Sequence, residues 1–340
     1  MATKVRIAGE GFLINDVPTY EGREWKGKKI EGLLLNTRMV QGMFDDVNLE
    51  TVQQFAYPDT GVWDADRNTS EFIAMLPTYK AHGVLAFDIN LQGGSPYGYS
   101  TEQPWINSAF ERDGSLRPAF MDRLARVLAA ADELGMVVIV GLFYFGQEKV
   151  FEGDEDAIRK AVDNATEWLL ATGHENLLLE INNECNIIYE LPIMRPDGVH
   201  ELIERASAIT LDGRRLLVGT SYGGGTIPGP AVTRASDFML IHGNSQEDPQ
   251  IIRDMVKKTR GVEGYTPKPI LFNEDDHFDF DKPDNNFVAA VGEYASWGFF
   301  DYRMKGEGLD EGYQSVPVNW GISSERKKGF FRLAKEISGY

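Results

Sequence analysis

Two stretches of the chain end an apolar run on the same pair of residues, Leu177-Leu-Leu-Glu-Ile-Asn-Asn183-Glu184 and Pro269-Ile-Leu-Phe-Asn273-Glu274. Paired carboxyl groups on either side of a substrate suit cleavage of a glycosidic bond. One protonates the departing oxygen while the other attacks the sugar or activates water, and their separation decides between retention and inversion. Spacing along the chain does not measure that separation, and metal enzymes also place glutamates at strand ends. The residues alone leave two chemistries open. One is acid/base and nucleophilic work by Glu184 and Glu274. The other is a metal-dependent isomerase or lyase with Glu184, Glu274, His242 and His277 as ligands.

Both runs belong to a longer series of short apolar segments. Strands are expected at Gly32–Arg38, Val84–Leu91, Met136–Phe145, Asn176–Asn183, Leu216–Tyr222, Phe238–His242, Pro269–Asn273 and Gly298–Arg303. Several are apolar almost without interruption, as strands covered on both faces of a parallel sheet are. Between them lie helical stripes, such as Phe120, Leu124, Val127, Leu128 and Ala131, opened by Pro118 and closed by Gly135. Pro230–Ala235 is the weakest of these helices. Strand and helix alternating eight times implies parallel βαβ units and favours a closed (β/α)8 TIM barrel over an open sheet. An open sheet would carry a glycine-rich phosphate loop after its first strand, and Leu34-Leu-Asn-Thr-Arg-Met has none. Residues 1–340 read as a single α/β catalytic domain, with residues 1–28 forming a short N-terminal β-hairpin that caps the barrel bottom.

In this architecture the loops after the strands carry function. The long ones, Met39–Asn68, Gln92–Arg117 and Met304–Ser324, hold Phe44, Phe55, Tyr57, Trp63, Tyr97, Tyr99, Trp105, Tyr313 and Trp320. Most of these rings are expected to pack small cores of their own. Such loops suit a pocket for short oligosaccharides better than an open cleft. Asn90, Gln92, Tyr144 and Gln147 close or follow strands two and three, as contacts to sugar hydroxyls or as ordinary rim polarity.

With 52 acidic against 34 basic residues the formal net charge is −18. Nucleic acid and anionic membranes are thereby poor partners, because like charge repels, whereas a neutral or cationic carbohydrate is compatible. Cys185 is the only cysteine, so internal disulfides and cysteine metal clusters are excluded; a packing role is expected, although it adjoins Glu184. Gly223-Gly-Gly-Thr-Ile-Pro-Gly229 lacks the lysine of a nucleotide loop. No run approaches the roughly 18 apolar residues of a membrane span, and the N-terminus has no secretory apolar core. A cytoplasmic location is expected, or a secreted one with the leader missing from this chain.

Asn183-Glu184 at the end of strand four, a second glutamate ending strand seven and the opening Gly11-Phe-Leu-Ile-Asn-Asp-Val-Pro resemble the clan A glycoside hydrolases. That superfamily contains cellulases, mannanases and β-galactosidases, and the likeness is nearest to its family 5 barrels. The resemblance implies a retaining mechanism on β-glycosidic bonds without cofactor or metal, with Glu184 as acid/base and Glu274 as nucleophile. It further implies that Asn183 holds the sugar 2-hydroxyl and that Arg38 lies beneath the nucleophile. The family's strand-six tyrosine has no match, so His242 or Tyr222 is expected to replace it. A tryptophan commonly ends strand eight as a sugar platform; Trp297 precedes that strand, and Trp320 beyond it is the expected substitute.

The run Asp275-Asp-His277-Phe-Asp279-Phe-Asp281 is read as a loop whose acids serve nearby amides, with a metal or an amino sugar as alternatives. Alternation would place Asp275, His277, Asp279 and Asp281 on one side, and His277 could orient Glu274 or a substrate hydroxyl. A carbohydrate-binding barrel without catalysis is the remaining alternative.

Overall fold

The computed structural model describes residues 2–100 and 102–340. Along it run eight short parallel strands, β1 (Asn36–Thr37), β2 (Ala86–Asn90), β3 (Val137–Phe143), β4 (Leu177–Asn182), β5 (Leu217–Gly219), β6 (Met239–His242), β7 (Ile270–Glu274) and β8 (Gly298–Phe299). Helices follow them in turn: α1 (Ala65–Lys80), α2 (Pro118–Leu134), α3 (Glu155–Ala171), α4 (Val199–Ala208), α5 (Pro230–Ala235), α6 (Pro249–Arg260), α7 (Asn286–Gly292) and α8 (Glu325–Ser338). None is long and apolar enough to cross a membrane.

The strands β2, β3, β4 and β5 form one parallel ladder, β6 pairs with β7, and β8 pairs with β1. Parallel bridges join Arg38 to Asp88 and Leu271 to Ser296, and the Asp237 amide donates to the Val218 carbonyl at 2.9 Å. Every residue of β3 and β4 is buried, the outcome expected of strands covered on both faces. The helices supply the cover. In α3, Asp154 caps the first turn by accepting from Asp156 and Ala157, and the stripe Ile158, Ala161, Val162, Ala165 and Leu169 faces inward. Of these, Ile158, Val162 and Leu169 each contribute about 1.5–3 kcal/mol on burial.

The N-terminal hairpin gains a third strand: Val5–Ala8 pairs with Gly11–Ile14, which pairs with Val17–Pro18. Val5 donates to the Glu175 carbonyl and Phe12 to that of Gly32, so the sheet is bonded to the chain entering β4 and β1. The fully buried Phe12 sits there, leaving the opposite, C-terminal ends of the strands open for chemistry.

Strands one and eight are shorter than the apolar runs suggest. Leu34 donates instead to the Ser296 hydroxyl and Leu35 to that of Tyr20. Past Phe299, the Phe300 amide turns to the Asp275 carbonyl, and Asp301 accepts from Gly312 and Tyr313. Side chains compete for these amides, a contest that an apolar pattern does not reveal.

Candidate active site

At the end of β4 the backbone turns sharply. Glu184 has φ 51°, a left-handed conformation that costs a non-glycine residue on the order of 1–3 kcal/mol. Its amide donates to the Ser221 hydroxyl at 2.9 Å, and the Cys185 amide donates to the Ser221 carbonyl at 3.0 Å. Ser221, two residues past the end of β5, thereby holds the turn that lifts Glu184 into the cavity.

Glu274 is placed by a different device. The β6–β7 register slips so that Ile241 faces Phe272 but His242 faces Glu274, leaving Asn273 as the extra residue of a bulge. Asn273 donates inward to Asp88 at 2.8 Å, and Glu274 also points inward. Arg38 Nε lies 2.6 Å from Glu274 Oε2, and Asn244 Nδ2 donates to Oε1 at 2.8 Å. A second nitrogen of Arg38 donates to Asn183 Oδ1 at 2.6 Å. His242 Nδ1 is 3.0 Å from Glu184 Oε1 and 3.7 Å from Glu274 Oε2. One ligand-type atom from each of Glu184, His242 and Glu274 lies within 4.8 Å of the others.

The electrostatics follow from burial. Desolvation pushes Glu184 up to about 7, with Arg38 acting against it. Desolvation also raises Glu274, opposed by Arg38, His242 and the Asn244 donor. His242 is fully buried, and burial lowers it despite the neighbouring Glu274, so it is neutral near pH 7 and its contact with Glu184 carries one proton. Below these groups, Arg38 also meets Asp88 and Glu180 at 3.5 and 3.9 Å. Both carboxyls are raised by burial, which lets a lone guanidinium serve three acids.

Glu184, His242 and Glu274 are the group here that could hold a metal ion. Arg38 is ion-paired with one oxygen of Glu274 and Asn244 donates to the other. A divalent cation would have to displace a buried guanidinium, so the arrangement fits covalent and proton-transfer chemistry better.

Of the expected residues, Arg38, Asn183 and His242 gather with both glutamates. Tyr144 lines the cavity they face, its hydroxyl donating to Ser95. The others lie elsewhere. Asn90 is buried beside Gly141, where a Cβ would meet its Oδ1 at 2.3 Å, and its amide makes no hydrogen bond. Gln92 donates to Ser108 and the Gln147 carbonyl, tying down its own loop. Tyr222 accepts from the Gly229 amide, so His242 rather than Tyr222 approaches Glu274. Trp320 is no platform: it stacks on Tyr313, packs on Phe72 of α1 and donates to Asn68. His277 faces Asp279 at 3.7 Å. The acidic run does not share one side either, for Asp275 is buried under Trp297 and Asn286 while Asp279 pairs with Lys282. Burial raises the Cys185 thiol, which suits packing.

Asn244 and Tyr99 were not singled out as site residues. Tyr99 donates to Asp276 Oδ2 and accepts from Asn244 Nδ2, both at 2.7 Å. Asn244 lies two positions past His242, a same-face spacing that could have marked it; nothing in its loop distinguishes Tyr99 from the other aromatics.

The sequence matches no protein-family model and no curated protein. Solved structures do resemble it. The endo-1,4-β-mannanase from Rhizomucor miehei superposes with TM-score 0.61 at 12% identity, covering 99% of each chain. The β-mannanase from the blue mussel Mytilus edulis gives 0.56 at 12%, covering 100% of this chain and 97% of its own. A broad-specificity GH5-4 endoglucanase from Clostridium longisporum gives 0.57 at 13%, covering 90% and 97%. The chain has the fold of glycoside hydrolase family 5 enzymes. At such identities the likeness is one of fold, and the chemistry must be argued from the site itself.

Proposed function

We propose that this chain is a retaining β-glycoside hydrolase: a single catalytic domain on a closed (β/α)8 barrel, capped below by its N-terminal sheet. The ladders, the bridges at Arg38 and Leu271, and the Asp237–Val218 bond support closure. The observation that carries the chemistry is the approach of Glu184 and Glu274 oxygens to within 4.8 Å. Retaining enzymes hold their carboxyls at about 5–5.5 Å, whereas inverting ones leave roughly 6.5–9.5 Å for a water.

Glu274 attacks the anomeric carbon as the glycosidic C–O bond breaks, and the departing oxygen takes the Glu184 proton. Glu184 then removes a proton from water, whose oxygen displaces Glu274 and releases the sugar with its configuration retained. The test is sugar release from a panel of aryl β-glycosides and oligosaccharides, with and without chelator, and the product anomer read by NMR. Chelator-insensitive release of the β-anomer first is expected. Release of the α-anomer from β-substrates, or activity abolished by chelation, would overturn the reading.

A further inference from the structure

The loop after β2 does not stay on its own side of the strand ends. Tyr99 reaches Asp276 and Asn244, in the segments after β7 and β6, and β6 stands opposite β2 in a ring of eight strands. The crossing is anchored along its length. Gly94 lies directly on the Tyr144 ring, where a Cβ would come within 2.2 Å of Cδ1, and Gly98 lies on Tyr302, at 2.8 Å. The Gly94 carbonyl accepts from Gln41 at 2.9 Å and Gln314 at 3.0 Å, while Tyr99 packs edge-on against Tyr302. Behind this strap lies a cavity of about 210 Å³ bounded by Tyr99, Tyr144, Phe145, Phe300 and the two glutamates. Pockets that enclose drug-sized ligands run to roughly 300–1,000 Å³; this one suits one sugar ring and no chain beyond it.

From the strap and the cavity behind it we infer that the site is blind beyond the reacting sugar, and that the enzyme removes single residues from the non-reducing end of its substrate. This rests on the glycosidase reading above. The leaving group must depart past its acid, Glu184, on the side where Ile187 and Ile188 line the cavity and are themselves exposed. Tyr99 stands on the other side, bonded through Asn244 to Glu274, where further sugars of a chain would have to pass it. Tyr99 is thus a specificity residue: its ring lines the cavity, and its hydroxyl fastens the strap.

The test compares short β-linked oligosaccharides with a free non-reducing end against the same compounds capped there, and follows the viscosity of the matching polysaccharide. Monosaccharide release from free ends, untouched capped compounds and constant viscosity are expected. Cleavage inside capped compounds overturns the blind pocket while leaving the glycosidase reading intact. Absence of turnover together with absence of covalent labelling by 2-fluoro glycosides of the same sugars overturns both. Tyr99→Phe and Tyr99→Ala should raise the ratio of capped to free-end cleavage about tenfold or more. An unchanged ratio in both folded variants would show that Tyr99 is not what closes the site.

Discussion

Glu274 sits on the wall built by β1, β6 and β7, where Arg38 is ion-paired with one of its oxygens and Asn244 donates to the other. Glu184 sits on the wall built by β4 and β5, where its backbone is held by Ser221, and its carboxyl meets the His242 imidazole reaching over from β6. The side chains are the same and both are buried. They differ in how many N–H groups favour the charged form. On the proposed mechanism, the carboxyl with a guanidinium at hydrogen-bond distance would serve as the nucleophile, and the more strongly raised one beside His242 would keep a proton to donate. The division of labour thus resides in neighbours contributed by other strands.

The sharpest way to break this contrast is Glu274→Ala, for which kcat should fall on the order of 10⁴-fold or more. Added azide should restore turnover of activated aryl glycosides and yield the glycosyl azide of inverted configuration. A folded variant with no azide product would remove Glu274 as nucleophile. Glu184→Gln should cost about 10²–10⁴-fold on substrates with poor leaving groups. The wild-type rate should decline above about pH 7, where Glu184 loses its proton, and that alkaline limb should vanish in the variant; its persistence would place the acid elsewhere.

The same proton has a signature in stability. The folded Glu184 carboxyl is raised from 4.5 to about 7, so its contribution is full below the unfolded value and is lost as pH rises through about 7. The difference is on the order of 3 kcal/mol. Thermal midpoints of Glu184→Gln should therefore depend less on pH between these values than those of wild type, and parallel curves would refute the assignment. Asn244→Ala removes one donor from the other wall and should lower kcat about ten- to hundredfold, from the 1.5–3 kcal/mol of a hydrogen bond to a charged group. A change in KM alone would make Asn244 a binding residue instead.

Much of this was readable from residue order. All eight strands and their helices lie where the apolar runs put them, because buried parallel strands need nearly continuous apolar sequence. Arg38, Asn183, Glu184, His242 and Glu274 could be placed because each ends such a run. Tyr99 and Trp320 show where reading stops. Both are aromatic residues in long loops after strands, yet one spans the mouth and the other packs on α1. Partners distant in sequence decide between them: Asn244 and Asp276 for the first, Asn68 and Phe72 for the second. The loop Met39–Asn68 makes the same point, since Phe44 packs edge-on against Phe55 and Trp63, and Trp63 stacks on Tyr57.

The bulge in β7 makes the site sensitive to chain length as well as composition. Asn273 and Glu274 are consecutive, yet both face inward, which an unbroken strand forbids because its side chains alternate. Loss of the codon for Asn273 would draw the glutamate one step down, toward Asp88 and Glu180 and away from Asn244. Such a deletion mutant would retain both glutamates, His242 and Arg38, yet hold the proposed nucleophile among other acids. In β7, then, insertions and deletions put more at risk than most substitutions do.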